Sequence, residues 1–244
     1  MKVLSKEVTP YNSTETKKEQ VAEMFDNIAP TYDFLNHLLS MGIDKMWRKK
    51  TIKMIADIKP KMMLDVATGT GDFAIAALKL NPEKVIGVDI SKEMLAVGQQ
   101  KIKKNGYDNV IELQLGDSEN LQFKSNTFDA VTVAYGVRNF ENLEKGLAEI
   151  FRVLKPTGKL AILEFSRPDN FPIKQLFNFY FKNILPFFGR LVSKDTRAYD
   201  YLPESVQVFP DGQDFVDILD KTGFKATKCT RLSFGISSIY IGVK

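Results

Sequence analysis

The chain has little of what metal-binding, secreted or membrane-spanning proteins need. Among its 244 residues there is one cysteine, Cys229, and one histidine, His37. A lone thiol cannot close an internal disulfide, which excludes a cross-linked secreted scaffold and fits a reducing compartment. One His and one Cys far apart offer no metal-ligand spacing, so no metal is expected. No apolar run reaches the roughly 18 residues of a membrane span. The opening stretch "MKVLSKEVTPYNSTETKKEQ" is polar and lacks the apolar centre of a signal peptide. The balance of 34 basic against 30 acidic side chains leaves only +4, too weak a field to argue for nucleic acid as a partner. Repeats and low-complexity segments are missing too. What remains is a chain of 44% apolar residues, ample for one substantial core. The expectation is a soluble, cytoplasmic globular protein.

Residues 1–20 read as a polar tail and 21–244 as one domain. Within it, 21–60 is predicted to be a helical segment, and about 168–210 an aromatic helical cap. Val21, Met24, Phe25 and Ile28 are spaced for one face of a helix that Pro30 is expected to end. Two shorter helices then follow, split near Gly42. From Lys61, strand-like runs ("MMLDVA", "KVIGVDI", "VIELQLGD", "FDAVTVAYG", "KLAILEF") alternate with helical patterns. That alternation predicts an α/β fold, a mostly parallel sheet with helices on both faces. A helix closed by Gly223 precedes two last strands, which are expected to pair antiparallel at the sheet edge.

The glycine turn after the first strand carries the first functional signal. Gly69, Gly71 and Ala74 satisfy G-x-G-x-x-A, and Asp89 lies 20 residues beyond Gly69, the arrangement of a dinucleotide site. Asp65 ends the strand four residues before Gly69, and Asp72 follows Gly71. Carboxylates there would repel a pyrophosphate but suit a ligand that is cationic at that end. S-adenosylmethionine, with its ammonium and sulfonium, is such a ligand; a nicotinamide dinucleotide stays as the alternative. Asp89 ends the second strand, where it can accept from two ribose hydroxyls. Asp117 ends the third, where it can accept from an adenine amine, with the Ser118 backbone beside it.

"DVATGTGD", "GVDISKEML", "GDSENL" and "RVLKPTGKLAILEF" resemble the class I S-adenosylmethionine methyltransferases. "YDFLNHLLSMGIDKMW" and "RVLKPTGKLAILEFS" resemble the two signatures of the menaquinone/ubiquinone biosynthesis C-methyltransferases, and "YGVRNF" and "YDYLPESVQVFPDGQDF" are similar to that family as well. The resemblance runs from about Val21 to the C-terminus. It implies a Rossmann-like fold of seven strands, mostly parallel with one antiparallel strand. It also implies S-adenosyl-L-methionine as methyl donor and Thr70, Asp89, Asp117 and Ser118 at cofactor positions, beside Asp65, Gly69 and Gly71. The sequence departs from the family pattern at Leu35, Asp44, Ala134 and Thr157; the family usually has Met, His, Ser, and Gly or Met there.

The reaction implied is methylation of a ring carbon on a prenylated hydroquinone, demethylmenaquinol becoming menaquinol. Such chemistry needs the nucleophilic carbon held in line with the methyl group, exclusion of water and stabilisation of a phenolate. Arg138, after the fourth strand in "AYGVRNF", is the first candidate for that stabilisation, with an ion pair as its alternative; Asn139 could bind a second ring oxygen. Asp33 is a candidate base and Tyr32 a positioner, and both could equally cap a helix. Tyr199 and Tyr201 suit either the substrate or the core. His37 reads as a surface residue. The stretch 171–195, rich in phenylalanine with basic residues interleaved, reads as a lid over the prenyl tail, as a peripheral contact with the inner face of a membrane, or as plain core. A homodimer stays open. Other readings are a methyltransferase of different substrate and a non-catalytic scaffold of a quinone-synthesis complex.

Overall fold

A computed structural model describes residues 8–11, 13–184, 195 and 197–244. Part of the aromatic stretch (185–194) and the side chain of Tyr199 lie outside the described residues.

Seven strands form one sheet: β1 (Met62–Val66), β2 (Lys84–Asp89), β3 (Ile111–Leu115), β4 (Phe128–Ala134), β5 (Leu154–Phe165), β6 (Lys225–Leu232) and β7 (Ser237–Val243). Their order is β3-β2-β1-β4-β5-β7-β6. β7 runs antiparallel between β5 and β6, and the other strand pairs are parallel. The sequence-based expectation of one antiparallel strand in a mostly parallel sheet is met.

Helices cover both faces because the central strands are apolar on both sides. Four are α1 (Lys17–Leu39), α2 (Ile43–Lys53), α3 (Asp72–Ala77) and α4 (Lys92–Lys104). The others are α5 (Leu143–Val153), α6 (Ile173–Phe179), α7 (Arg197–Val208) and α8 (Gln213–Thr222). One face buries Leu147, Ile150, Phe215 and Leu219 from α5 and α8. The other buries Trp47, Ile52, Phe73 and Ile102 from α2, α3 and α4. Starts and stops follow local chemistry: Ser91 and Asn142 cap α4 and α5 by accepting from Met94 N and Lys145 N, and Gly223 closes α8 in the left-handed conformation. Among the described residues no helix is long and apolar enough to cross a membrane.

Two boundaries differ from expectation. Pro30 does not end the first helix; α1 continues through it to Leu39. A proline inside a helix costs about 3 kcal/mol. Here α1 buries Val21, Met24, Ile28 and Leu35 along one stripe against α4, with α6 and α7 beside it, enough apolar surface to outweigh that cost. The helix also starts at Lys17, inside the expected tail. Its split from α2 at Gly42, with φ 74°, falls where the sequence placed it.

Candidate active site

The strand order reverses between β1 and β4, so the loops leaving their carboxyl ends diverge and open a cleft. It holds about 650 Å³ of empty space, part of it open to solvent. Ala67 and Gly69 line it from β1, Asp89 from β2, Asp117 and Ser118 from β3, and Tyr135 and Asn139 from β4. Val21, Phe25 and Tyr32 of α1 form the roof.

The turn after β1 is held open by backbone geometry. Gly69 has φ 55°, and a Cβ there would meet no protein atom within 4 Å. A ligand can therefore approach the bare backbone. Gly69 N donates to Asp89 Oδ2 at 2.7 Å, and Ser91 N donates to Asp89 Oδ1 at 2.9 Å. These two bonds fix the carboxylate beside the glycine turn. Burial raises the Asp89 pKa, against the opposing pull of those N–H groups. Asp117 Oδ1 accepts from Glu119 N at 2.9 Å, and its Oδ2 accepts from Lys18 Nζ at 2.7 Å. Ala67 and Tyr135, at φ 52° and 56°, sit in the left-handed region that bulky residues avoid. Both line the cleft, and Gly136 beside them leaves no room for a side chain: a Cβ would stand 2.5 Å from Ala67 Cβ.

Several residues expected at the site do other work. Asp65 does not line the cleft. Its carboxylate accepts from Thr68 Oγ1 at 2.6 Å and Thr132 Oγ1 at 2.7 Å, so it braces the turn from inside. Thr70 and Gly71 stand behind the wall: Thr70 Oγ1 donates to Asp33 Oδ1 at 2.6 Å, and Gly71 is the left-handed N-cap of α3. Asp33 pairs with Lys101 at 2.5 Å, which occupies the carboxylate proposed as a base. Asp72 is neutralised by Lys101 at 2.7 Å. It was read as facing a cationic ligand, and that reading is corrected.

Arg138 takes the alternative foreseen for it, an ion pair. Its Nη1 donates to Glu164 Oε1 at 2.8 Å and to the Tyr135 carbonyl at 2.5 Å, and the pair is buried. The guanidinium is spent on a structural ion pair. His37 is half-buried, with a carboxylate beside each ring nitrogen: its Nδ1 lies 3.1 Å from Asp44 and its Nε2 lies 3.6 Å from Asp72. These three form a cluster with metal-ligating atoms, which the sequence spacing hid, but the Arg48 guanidinium bonds Asp44 and supplies the positive charge there. Tyr201 is core.

Asn139 has a buried polar atom without a partner among the described residues. The residue is buried and lines the cleft, and the atom is its Oδ1. Leaving a buried acceptor unpaired is costly, so this oxygen marks a place for a ligand donor. Tyr135, Lys18 and Glu164 were missed by sequence reasoning. The one readable signal was Glu164, a charge inside the apolar run "KLAILEF".

A bare glycine backbone, a carboxylate fixed beside it and a second carboxylate after β3 fit an aminoacyl nucleoside. Asp89 would hold its ribose, and Asp117 and Ser118 its adenine. Fold and site together define a class I S-adenosylmethionine-dependent methyltransferase. The solved structure of such an enzyme from Thermotoga maritima superposes with TM-score 0.64 at 18% identity, over 91% of this chain and 99% of that one. The model of the ubiE/COQ5 methyltransferase family matches residues 13–244, and the chain belongs to that family. It is 49% identical over 238 residues to a demethylmenaquinone methyltransferase of Bacteroides fragilis, 97% of each chain. A protein of the same name from Porphyromonas gingivalis is 45% identical over 239 residues, 97% of this chain and 98% of the other.

Proposed function

We propose that the protein transfers a methyl group to a ring carbon of demethylmenaquinol, giving menaquinol, the last step of menaquinone synthesis. The observation that carries this reading is the near full-length kinship with the Bacteroides fragilis enzyme, joined to a cleft of suitable chemistry. S-adenosylmethionine, when bound, supplies an electrophilic methyl group. The substrate must be the reduced ring, because an electron-poor quinone carbon is no nucleophile.

The chain's own groups bind and orient. Asn139 Oδ1 can accept a hydrogen bond from one ring hydroxyl. Tyr32 and Tyr135 both have phenol pKa values raised by burial, so they stay protonated at neutral pH. Each can donate to the ring oxygen on which negative charge gathers. Burial under α1 excludes water and strengthens those bonds. With Asp33 held by Lys101, it is not a ready base for the ring proton. The prenyl tail of the substrate favours a peripheral protein at the inner, cytoplasmic face of a membrane. A homodimer is compatible with this reading and not needed by it, and nucleic acid has no part in it.

The test is methyl transfer from labelled S-adenosylmethionine to a short-tailed demethylmenaquinone, with and without prior reduction, read by mass spectrometry. Methylation of the quinol alone is expected. Binding of the methyl donor without methylation of either redox form would overturn the substrate.

A further inference from the structure

Large apolar side chains stand in solvent on segments that leave or flank the carboxyl edge of the sheet, the edge at which the cleft opens. Phe34 is exposed on α1, two residues from Tyr32 in the roof. Met41 follows at the α1–α2 corner, 83% exposed, and Met46 is exposed on α2. Phe234, in the turn between β6 and β7, is 81% exposed, and Phe171, after β5, is 82% exposed. These segments are tied to one another. Trp47 Nε1 of α2 donates to Ser233 Oγ at 3.0 Å, which fixes α2 to the Phe234 turn. Arg231 pairs with Asp169 at 3.2 Å and donates to the Arg167 carbonyl at 2.9 Å, which fixes that turn to the start of the cap. The apolar rim is therefore a built surface. Scattered exposed hydrophobes are ordinary; a set gathered at one edge is not.

The outer face of α2 adds charge of one sign. Asp44, Trp47, Arg48, Thr51 and Ile52 are buried. Lys45, Met46, Lys49, Lys50 and Lys53 are exposed and span about 140° of the helix circumference at 3.6 residues per turn. That face carries no acid, and among the described residues none of the four lysines has a salt-bridge partner. An apolar edge beside a basic helix face complements one surface chemistry, apolar below and anionic at the interface.

We infer that the corner between α2 and the rim Phe34–Met41–Phe234–Phe171 docks on an anionic lipid bilayer, turning the cleft mouth toward the membrane. This deepens the proposed function, since a prenylated quinol dissolved in that bilayer then meets the cleft without crossing water. It also moves the docking face from the 171–195 stretch alone to α2 and the β6–β7 turn.

The full chain is sedimented with phosphatidylcholine vesicles, with or without 30% phosphatidylglycerol. Binding is expected only to the anionic vesicles and is expected to fade in high salt. Each lysine changed to Gln is expected to weaken it roughly fivefold, so K45Q/K49Q/K50Q/K53Q loses roughly 600-fold. M41S/F234S loses the salt-resistant part. S-adenosylmethionine binding and methylation of the short-tailed quinol, measured on the same variants, are expected to stay unchanged. Equal binding to neutral and anionic vesicles, or a quadruple variant that binds like the wild type, overturns the docking face. So does a shift in the sedimentation coefficient of the vesicle-free variant, which would mark a self-association surface. Docking without quinol methylation overturns the substrate and spares the docking face; methylation without docking does the reverse.

Discussion

Lys18 Nζ sits 2.7 Å from Asp117 Oδ2, so the first turn of α1 is bolted to the carboxylate proposed to accept from an adenine amine. Glu119 lies 3.4 Å from the same lysine nitrogen, and Lys17 next to Lys18 donates to the Phe140 carbonyl at 3.0 Å. Farther along α1, Asp26 accepts from Ser91 Oγ at 2.6 Å and Asp33 pairs with Lys101. The roof is thus pinned at both ends by polar bonds, while its middle is packed by apolar residues. A cofactor that claims Asp117 competes with Lys18. Lys18→Met is expected to tighten S-adenosylmethionine binding up to about fivefold, the ceiling for a partly exposed ion pair. Calorimetric titration checks it. Weaker binding would mean that Lys18 helps to hold the cofactor.

Arg138 and Glu164 form the opposite kind of pair, buried on both sides. Burial raises the Glu164 pKa, and the guanidinium beside it opposes that rise together with the backbone N–H groups of Phe165 and Arg138. Removing either partner strands the other in a low-dielectric interior. Arg138→Ala and Glu164→Gln are each expected to cost about 3–5 kcal/mol in urea unfolding. The double variant Arg138→Met/Glu164→Gln should recover part of that loss. An Arg138→Ala protein of unchanged stability but lost turnover would return the residue to the chemistry.

Asn139 gives the contrasting expectation. Its Oδ1 bonds no protein group among the described residues, and its amide makes one long bond of 3.4 Å to the Tyr135 carbonyl. Asn139→Ala should leave the melting temperature nearly unmoved and lower kcat/KM on the order of tenfold, the worth of one hydrogen bond to substrate. Steady-state rates with the short-tailed quinol and a thermal melt decide it together. A large loss of stability with normal turnover would assign Asn139 to the scaffold.

Thr157 turns a departure from the family pattern into a structural cost. It holds φ 67° in the loop within β5, a conformation in which a β-branched side chain crowds its own backbone. The family residue there is often glycine, which adopts it freely. Thr157→Gly is expected to stabilise the fold by about 1 kcal/mol, read from the urea midpoint. Destabilisation would show that the chain entropy of glycine outweighs the relieved strain.

The fold was legible because period and punctuation agreed: apolar strands, Gly42 and Gly223 as stops, and three acids at successive strand ends. Asp89 and Asp117 line the cleft as that pattern implied, because a strand end has few directions in which to point. Pro30 misled because local propensity was asked to decide what the Val21–Leu35 stripe decides through tertiary burial. Arg138, Asp33 and Asp72 carry partners that the sequence did not show. A sequence shows which residues carry charge, but not which charges are already paired. Glu164 lies 26 residues from Arg138, and Lys101, which pairs with both Asp33 and Asp72, lies 68 and 29 residues from them along the chain.

Asp65 shows what such hidden pairing does to pH dependence. Burial lifts its carboxyl from 3.8 to about 6, although the Thr68 and Thr132 hydroxyls pull it back. Between those values the folded protein keeps a proton that the unfolded chain releases, so this group makes stability fall as pH rises. The full effect, for a rise of that size, is on the order of 3 kcal/mol. Asp65→Asn cannot ionise. Its altered bonding to the two threonines contributes an offset that pH does not move. Urea unfolding at about pH 4 and pH 7 should therefore show the variant gaining on the wild type by on the order of 3 kcal/mol across the window. If the difference between the two proteins stays constant with pH, Asp65 is ionised in the fold throughout. Its two threonine hydroxyls would then suffice to hold a buried anion at the base of the glycine turn.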